Sequence, residues 1–215
     1  KDGKLSEATP FLKTMKGKYH ESTPAITKDG QTIYFTRNNA ATGDKGVSPD
    51  KIRLLKIYKA HQKDGKWDNI QELPFNSNNY SCAHPALSPD EKTLYFASDM
   101  PGGKGGTDLY KVSINNSQYG KPENLGDKIN TAGRESFPYI SKNNELYFSS
   151  DGHPGLGGLD VFATRKEKDS TYQIIHNVGK PLNGPMDDFA YIIDNTTKRG
   201  YFSSNREGGK GYDDL

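Results

Sequence analysis

Residues 83–97 read AHPALSPDEKTLYFA, and similar stretches occur at 22–36, 136–149 and 188–203. Each stretch ends in or near a Tyr-Phe pair, and the pairs occupy positions 34/35, 95/96, 147/148 and 201/202, which are separated by 61, 52 and 54 residues. Self-similarity at a spacing of this size indicates a supersecondary unit that is repeated along the chain.

Each repeat has the pattern of several short strands. Two apolar runs flank a polar turn, such as the Pro-Asp-Glu turn that begins at Pro89, and Asp, Asn and Gly adopt turn conformations readily. In Leu94-Tyr95-Phe96 the first and third side chains share one face of a strand. A glycine-rich loop, a third strand and an outer strand follow. We therefore predict an all-β protein, a beta-propeller of four-stranded antiparallel blades.

The repeats also predict how the single domain, 1–215, is organised. Residues 1–20 form the outer strand of a preceding or closing blade, and about four blades are visible, at 21–73, 82–125, 135–178 and, in part, 187–215. Two alternatives stay open. Either the N-terminal strand closes the last blade, or the chain is part of a larger propeller, which we favour.

Charge and composition exclude several classes of function. The 215 residues carry 29 basic and 27 acidic side chains, so no basic stripe predicts nucleic acid binding. No run approaches the roughly 20 apolar residues of a transmembrane segment. The single cysteine, Cys82, cannot form an internal disulfide, and we interpret it as a buried or unused thiol.

Two resemblances to known families follow from these motifs. Residues 85–98, PALSPDEKTLYFAS, followed by Asp108-Leu-Tyr110, resemble the TolB-type, WD-like propeller repeat with its Ser-Pro-Asp-Gly turn. Residues 149–162, SSDGHPGLGGLDVF, and 199–214, RGYFSSNREGGKGYDD, resemble the propeller of OmpA-family envelope proteins of Bacteroidetes, some of which are accessory proteins of type IX secretion.

The second resemblance implies a location and partners. It implies a periplasmic, outer-membrane associated protein that docks other envelope proteins, among them an outer-membrane barrel of the PorP/SprF kind. These residues contain no OmpA-like domain, so the resemblance assigns them no peptidoglycan binding.

Glycine-rich loops at 101–108, 154–160 and 207–214 are the most conspicuous motifs. A phosphate-binding loop would open a helix, whereas these loops open strands. Calcium takes six to eight oxygen ligands, and each loop offers only one or two carboxylates. We expect no metal and no cofactor, and we expect Asp108, Asp160 and Asp213 to cap backbone amides of their loops.

Two surfaces are candidates for binding a partner. The first is an insertion at 38–50 and the basic residues in and after it, Lys45, Lys51, Arg53 and Lys56. Long loops on a rigid scaffold often carry contacts, although a basic stripe is also a common solvated surface.

The second surface is the predicted mouth of the central channel. The residues just before or within the start of each inner strand are expected to converge there, namely Glu21, His84, Glu135 and Asp187. A solvated rim is the alternative interpretation of the same residues.

No catalytic motif stands out. A Gly-x-Ser-x-Gly elbow and a His-Glu-x-x-His zinc motif are both absent from the sequence. We therefore expect a binding scaffold that is not an enzyme. The alternatives are a small-ligand or glycan-binding propeller, which would use acids and aromatic residues at the channel mouth, and an accessory propeller of a hydrolase.

Overall fold

The computed structural model describes residues 21–38, 53–167, 171–209 and 211–215. These residues form β-strands joined by turns and loops, and no α-helix. The strands are β1 Glu21–Ile26, β2 Thr32–Asn38, β3 Leu55–Lys63, β4 Lys66–Glu72, β5 Cys82–Leu87, β6 Thr93–Ser98, β7 Asp108–Asn115, β8 Gln118–Tyr119, β9 Glu123–Asn124, β10 Glu135–Ile140, β11 Glu145–Ser150, β12 Asp160–Arg165, β13 His176–Asn177, β14 Asp188–Asp194 and β15 Arg199–Ser204.

The strands form successive antiparallel meanders, which we call blades. Blade I is β1-β2-β3-β4, blade II is β5-β6-β7-β8 with β9 also paired to β7, blade III is β10-β11-β12-β13, and blade IV contains β14-β15. The first strand of each blade lies beside the first strand of the next, so β1, β5, β10 and β14 are the inner strands. The prediction of an all-β propeller is confirmed. No helix of the described residues is long and apolar enough to cross a membrane.

The cores lie between and within the blades and are built on the Tyr-Phe pairs. Phe35, Phe96 and Phe148 occupy the same position of the second strand, and each is at most 1% exposed. Each ring stacks on an aromatic ring of the third strand, at 6.0, 5.9 and 5.9 Å between centroids. Phe202, at the matching position of blade IV, is only partly buried. Burial of these rings removes apolar surface from water and holds the blades together.

Every inner strand contains a β-bulge near its start. The bulge residue has a positive φ in all four blades: 46° at Thr23, 57° at His84, 49° at Phe137 and 54° at Ala190. This region is unfavourable for the β-branched Thr23 and the bulky Phe137, so the surrounding blade must enforce it. The extra residue turns the side chains before and after it in directions that a regular strand would not allow.

Two glycines of the loops are required because backbones cross there. A Cβ on Gly105 would lie 2.1 Å from the carbonyl oxygen of Gly133, and a Cβ on Gly157 would lie 2.4 Å from that of Gly184. Each loop therefore packs directly on the segment that leads into the next blade. The glycine-rich motifs serve the contact between neighbouring blades.

Candidate ligand-binding groove

Two of the three acids predicted at the channel mouth, Glu21 and Glu135, occupy the first position of their inner strands. Glu21 and Glu135 pair with the far ends of β2 and β11. The member of this set in blade IV is Asp188, which pairs with Ser204, and Asp187 lies one residue before it. The alignment of Asp187 with Glu135 is therefore wrong by one residue. Because Asp187 and Asp188 are consecutive, the sequence alone does not show which of them is equivalent to Glu135.

These carboxylates bind their own chain and do not converge on one point. Glu135 accepts hydrogen bonds from the Thr131 amide at 2.9 Å and the Ser150 hydroxyl at 2.7 Å. Glu21 pairs with the Arg37 guanidinium, whose Nε lies 2.9 Å from Oε1. Asp187 accepts a hydrogen bond from the Leu159 amide at 2.8 Å. Glu135 closes the turn that leads into blade III, Glu21 ties β1 to β2, and Asp187 ties the start of blade IV to the loop before β12.

Asp188 behaves in the same way. It accepts hydrogen bonds from the Gly184 amide at 2.6 Å and from the Arg206 guanidinium at 2.5 Å. No group of three or more His, Cys, Asp or Glu side chains that could hold a metal ion occurs within the described ranges.

The glycine loops are capped by aspartates. Asp108 accepts hydrogen bonds from the Lys104 amide at 2.7 Å and the Gly105 amide at 3.1 Å. Asp160 accepts from the amides of Leu156 and Gly157. In the last loop Asp214 accepts from the Gly211 amide at 3.0 Å and pairs with Ser204 as Asp160 pairs with Ser150. The equivalent residue is thus Asp214, and the choice of Asp213 is one residue early.

The basic surface after the insertion is only partly present as predicted. Lys45 and Lys51 lie outside the described residues, and Arg53 is exposed. Lys56 is only 5% exposed, and its Nζ lies 2.7 Å from Oε1 of Glu72. A buried, paired lysine cannot offer its charge to a partner, so the assignment of Lys56 to a docking surface is wrong.

A set of asparagines supports the third strands and was missed by the sequence analysis. Asn130 accepts a hydrogen bond from the Leu109 amide and donates one to the Leu109 carbonyl, at 2.8 and 3.0 Å. Asn183 does the same for Val161, and Asn76 for Ile57. A repeated pattern could have revealed two of them, because NLGDKIN at 124–130 and NVGKPLN at 177–183 have the same spacing between their two asparagines.

The four inner strands line a groove of about 660 Å³. One end, the bulge end, is lined by Thr23, His84 and Phe137, and the other, the hairpin end, by Lys142, Asp194 and Arg199. Between the ends the walls are apolar and aromatic, and they include Pro85, Pro138, Tyr139, Tyr191 and Tyr201. The Tyr139 hydroxyl donates to the Ile193 carbonyl at 2.6 Å, which ties β10 to β14 across the groove.

Of the residues predicted at the mouth, only His84 lines the groove. Its ring stacks on Phe137 at 3.8 Å, and its Nδ1 accepts a hydrogen bond from the Phe137 amide at 3.4 Å. Burial lowers the pKa of His84 to about 4, because removal from water disfavours the charged imidazolium. At neutral pH His84 is therefore uncharged, with its proton on Nε2.

Cys82 has no role in the groove. It is fully buried, and burial raises the pKa of its thiol to about 12. A thiol that stays protonated is a poor nucleophile and a poor metal ligand.

Sequence comparisons do not assign a family. No protein-family model matches the chain, and a search of curated proteins finds no significant match. Comparison of structures does find similar proteins. A gluconolactonase of Xanthomonas campestris has a TM-score of 0.53 at 18% identity, over 84% of this chain and 52% of the other.

Two further structures show the same fold. A puromycin-hydrolysing peptidase of Mycobacterium tuberculosis has a TM-score of 0.53 at 16% identity, over 86% of this chain and 28% of the other. A putative TolB of Agrobacterium tumefaciens has a TM-score of 0.50 at 15% identity, over 91% and 73%. The chain thus spans about half the length of the gluconolactonase and just over a quarter of the peptidase.

These identities show the fold alone, which is a β-propeller of the kind found in TolB-type proteins. The similar structures give no support to the finer resemblance to OmpA-family or type IX secretion proteins. They contradict the expectation that the chain is not an enzyme, because most of the similar structures are enzymes. That expectation relied on missing linear motifs, whereas catalytic residues can come from separate strands with no common motif.

Proposed function

We propose that this propeller binds a small organic ligand or a glycan in the groove between its inner strands. The observation that carries the proposal is the groove itself, with its aromatic walls and its few polar groups at the two ends. The notion of a channel ligand is one of the sequence-based alternatives, but the residues that would bind it differ from those first considered.

The size and rigidity of the groove support this function. Its volume of about 660 Å³ lies within the range of roughly 300–1,000 Å³ that is usual for small-molecule sites. Its walls are the first strands of the blades, and each of them is hydrogen-bonded to the second strand of its own blade. A site built on such strands needs little ordering when a ligand binds.

The chemistry of the walls indicates the kind of ligand. The rings of Tyr191 and Tyr201 offer flat apolar surfaces with polar edges, which suit the faces of a sugar or of another ring. At the bulge end the Nε2–H of neutral His84 has no partner among the described residues and can donate to a hydroxyl or a carbonyl.

The test is direct binding of a panel of soluble saccharides and small aromatic compounds, measured by saturation-transfer NMR and then calorimetry. At least one member should bind, and Tyr201→Ala and Tyr191→Ala should weaken it roughly tenfold or more, the loss of about one stacking contact. Tyr212→Ala is the matched control, because Tyr212 is 96% exposed and does not line the groove. A panel with no binder, or a binder insensitive to both groove tyrosines, would overturn the proposal.

A second candidate is an accessory propeller of a larger hydrolase. The observation that favours it is that 86% of the chain superimposes on only 28% of the peptidase. In such a protein the groove would bind or admit substrate beside a separate catalytic domain. The sequence of the full gene discriminates, since a hydrolase domain beside the propeller supports this candidate.

The envelope location remains a proposal that rests on the resemblance of the loop motifs at 149–162 and 199–214. Under it the protein is periplasmic and outer-membrane associated, and it meets other envelope proteins, for example a barrel of the PorP/SprF kind. Fractionation of the native cells tests the location, and recovery only in the cytosol would contradict it. Crosslinking in the native envelope tests the partners.

A further inference from the structure

We infer that the bulge end of the groove recognises a neutral carbonyl oxygen, and that the ligand is a saccharide that carries an acetamido group. The inference rests on the proposed function and names the ligand class for the same site. Its basis is a pair of uncharged hydrogen-bond donors, Thr23 and His84, where blades I, II and III meet.

The first donor is the hydroxyl of Thr23. Its Oγ1 lies 2.9 Å from Oγ1 of Thr36, and the Thr36 oxygen also accepts a hydrogen bond from the His84 amide at 2.9 Å. Thr36 is only 1% exposed, and among the described residues only Thr23 Oγ1 is placed to accept its hydroxyl proton. Because a buried hydroxyl proton without an acceptor is costly, Thr36 donates to Thr23. The proton of Thr23 is then left for a ligand.

The second donor is the imidazole of His84. Its Nδ1 accepts a hydrogen bond from the Phe137 amide, so the neutral ring carries its proton on Nε2, and no residue in the described part of the chain accepts that proton. The ring stacks on Phe137 with 3.8 Å between centroids, which fixes the direction of the N–H bond. Thr23 and His84 hold the same bulge position of the inner strands β1 and β5, and both line the groove. Since Thr36 contacts both residues, the two donors are neighbours.

The surroundings of these donors are apolar and uncharged. The bulge residue of blades I, II and III is followed each time by a proline, at positions 24, 85 and 138, which adds an apolar ring and no N–H. Arg37, next to Thr36 in β2, is paired with Glu21 and does not line the groove. The charged side chains that line the groove within the described ranges all lie at the hairpin end, namely Lys142, Asp194 and Arg199.

Two uncharged donors in such surroundings favour an acceptor that needs no counter-ion. A carboxylate would lose its hydration at the bulge end without gaining a cation, which is costly. The oxygen of an amide carbonyl has two lone pairs, so it can accept from Thr23 and His84 together. The methyl group of an acetamido substituent would then contact the proline rings, while the sugar ring extends along the apolar walls of the groove.

The experiment compares triacetylchitotriose with cellotriose, which has the same three rings but a hydroxyl in place of each acetamido group. Calorimetry should show the acetylated sugar binding roughly tenfold or more tightly. Thr23→Val removes the hydroxyl but keeps the β-branched shape, so it should reduce this preference and leave cellotriose binding unchanged. Thr23→Ser, which restores a hydroxyl, should restore the preference.

Two further variants complete the test. His84→Asn tolerates the positive φ but carries its donor on a shorter side chain, so it should also reduce the preference. Thr93→Val is the matched control, because Thr93 lies in β6 and does not line the groove, and it should leave the preference intact.

The outcomes separate the two proposals. Equal binding of the two sugars overturns the inference and leaves the groove function standing. A preference that survives both Thr23→Val and His84→Asn also overturns it. If neither sugar binds while another compound of the panel does, the acetamido class is wrong and the groove function stands. If nothing binds at all, both fall.

Discussion

Blade I differs from blades II and III in the polar side chains that link the third strand to the outer strand. In blade II the loop aspartate Asp108 accepts a hydrogen bond from Asn124 of the outer strand at 2.7 Å, and Asn130 donates to Asn124 at 2.8 Å. Blade III repeats this arrangement residue for residue, with Asp160, Asn177 and Asn183. A network of one carboxylate and two side-chain amides therefore links the loop, the outer strand and the third strand in both blades.

In blade I the equivalent positions carry an ion pair. Register places Lys56 where blade II has Asp108, and Glu72 where it has Asn124. Lys56 and Glu72 meet at 2.7 Å, while Asn76 still spans the backbone of Ile57 as Asn130 spans that of Leu109. The geometry of the blade thus requires a polar link at this place but does not dictate its type. Only the asparagine that serves the backbone is common to all three blades.

The largest effect is expected where that common asparagine is removed. Asn130→Ala leaves the buried amide of Leu109 without a partner, at about 1–3 kcal/mol, while the Leu109 carbonyl keeps its hydrogen bond from the Leu125 amide. Urea unfolding should show this loss, and Asn76→Ala should give a loss of similar size in blade I. Asn143→Ala, in an exposed turn, is the control. If Asn76→Ala left the free energy of unfolding unchanged, the asparagine would not stabilise blade I as it stabilises blade II.

Gly105→Ala is expected to have the next largest effect. The new Cβ would lie 2.1 Å from the Gly133 carbonyl and 2.6 Å from that of Thr131, so backbone must shift, at about 1–3 kcal/mol. Gly184→Ala is the matched control, since its Cβ would meet only the Asp188 carboxylate, at an ordinary 3.5 Å. Thermal unfolding of both variants measures the difference. Equal melting temperatures would show that the backbone around Gly105 can shift without a loss of stability.

Asp108→Ala and Lys56→Met compare how much the network of blade II and the ion pair of blade I contribute to stability. Asp108→Ala strands the amides of Lys104 and Gly105 and should cost about 1–3 kcal/mol. Lys56→Met should cost less, because the Glu72 side chain is 33% exposed and can be hydrated when its partner is lost. Chemical unfolding orders the two variants. A larger loss for Lys56→Met would mean that the ion pair is the stronger link.

The effect that is smallest at neutral pH, and that grows as the pH falls, concerns protonation at the bulge end of the groove. The pKa of His84 is lowered from 6.5 to about 4, so the unfolded chain takes up a proton before the folded chain does. Stability from this group is complete above pH 6.5 and is lost as the pH falls toward 4. His84→Asn, which tolerates a positive φ, should flatten the stability profile in that window. An unaltered slope in the His84 variant would contradict the neutral assignment.

The sequence by itself determined the architecture of this protein. The four copies of the Tyr-Phe pattern place Phe35, Phe96 and Phe148 at equivalent buried positions, because strand periodicity and apolar burial are local properties that recur with the repeat. The turns between inner and second strands follow from local residue chemistry in the same way. The family of the chain and its finer function could not be obtained from that pattern.

Only the tertiary structure decided which side chains meet. A slip of one residue exchanges the faces of a strand, so the sequence could not choose between Asp187 and Asp188, or between Asp213 and Asp214. From the sequence Lys56 is predicted to be a surface charge, whereas in the structure it is paired with Glu72, which is sixteen residues away. The groove is lined from residue 23 to residue 201, and its aromatic walls belong to strands that are adjacent only after the blades have packed. Local pattern specifies each blade, whereas long-range packing specifies the site.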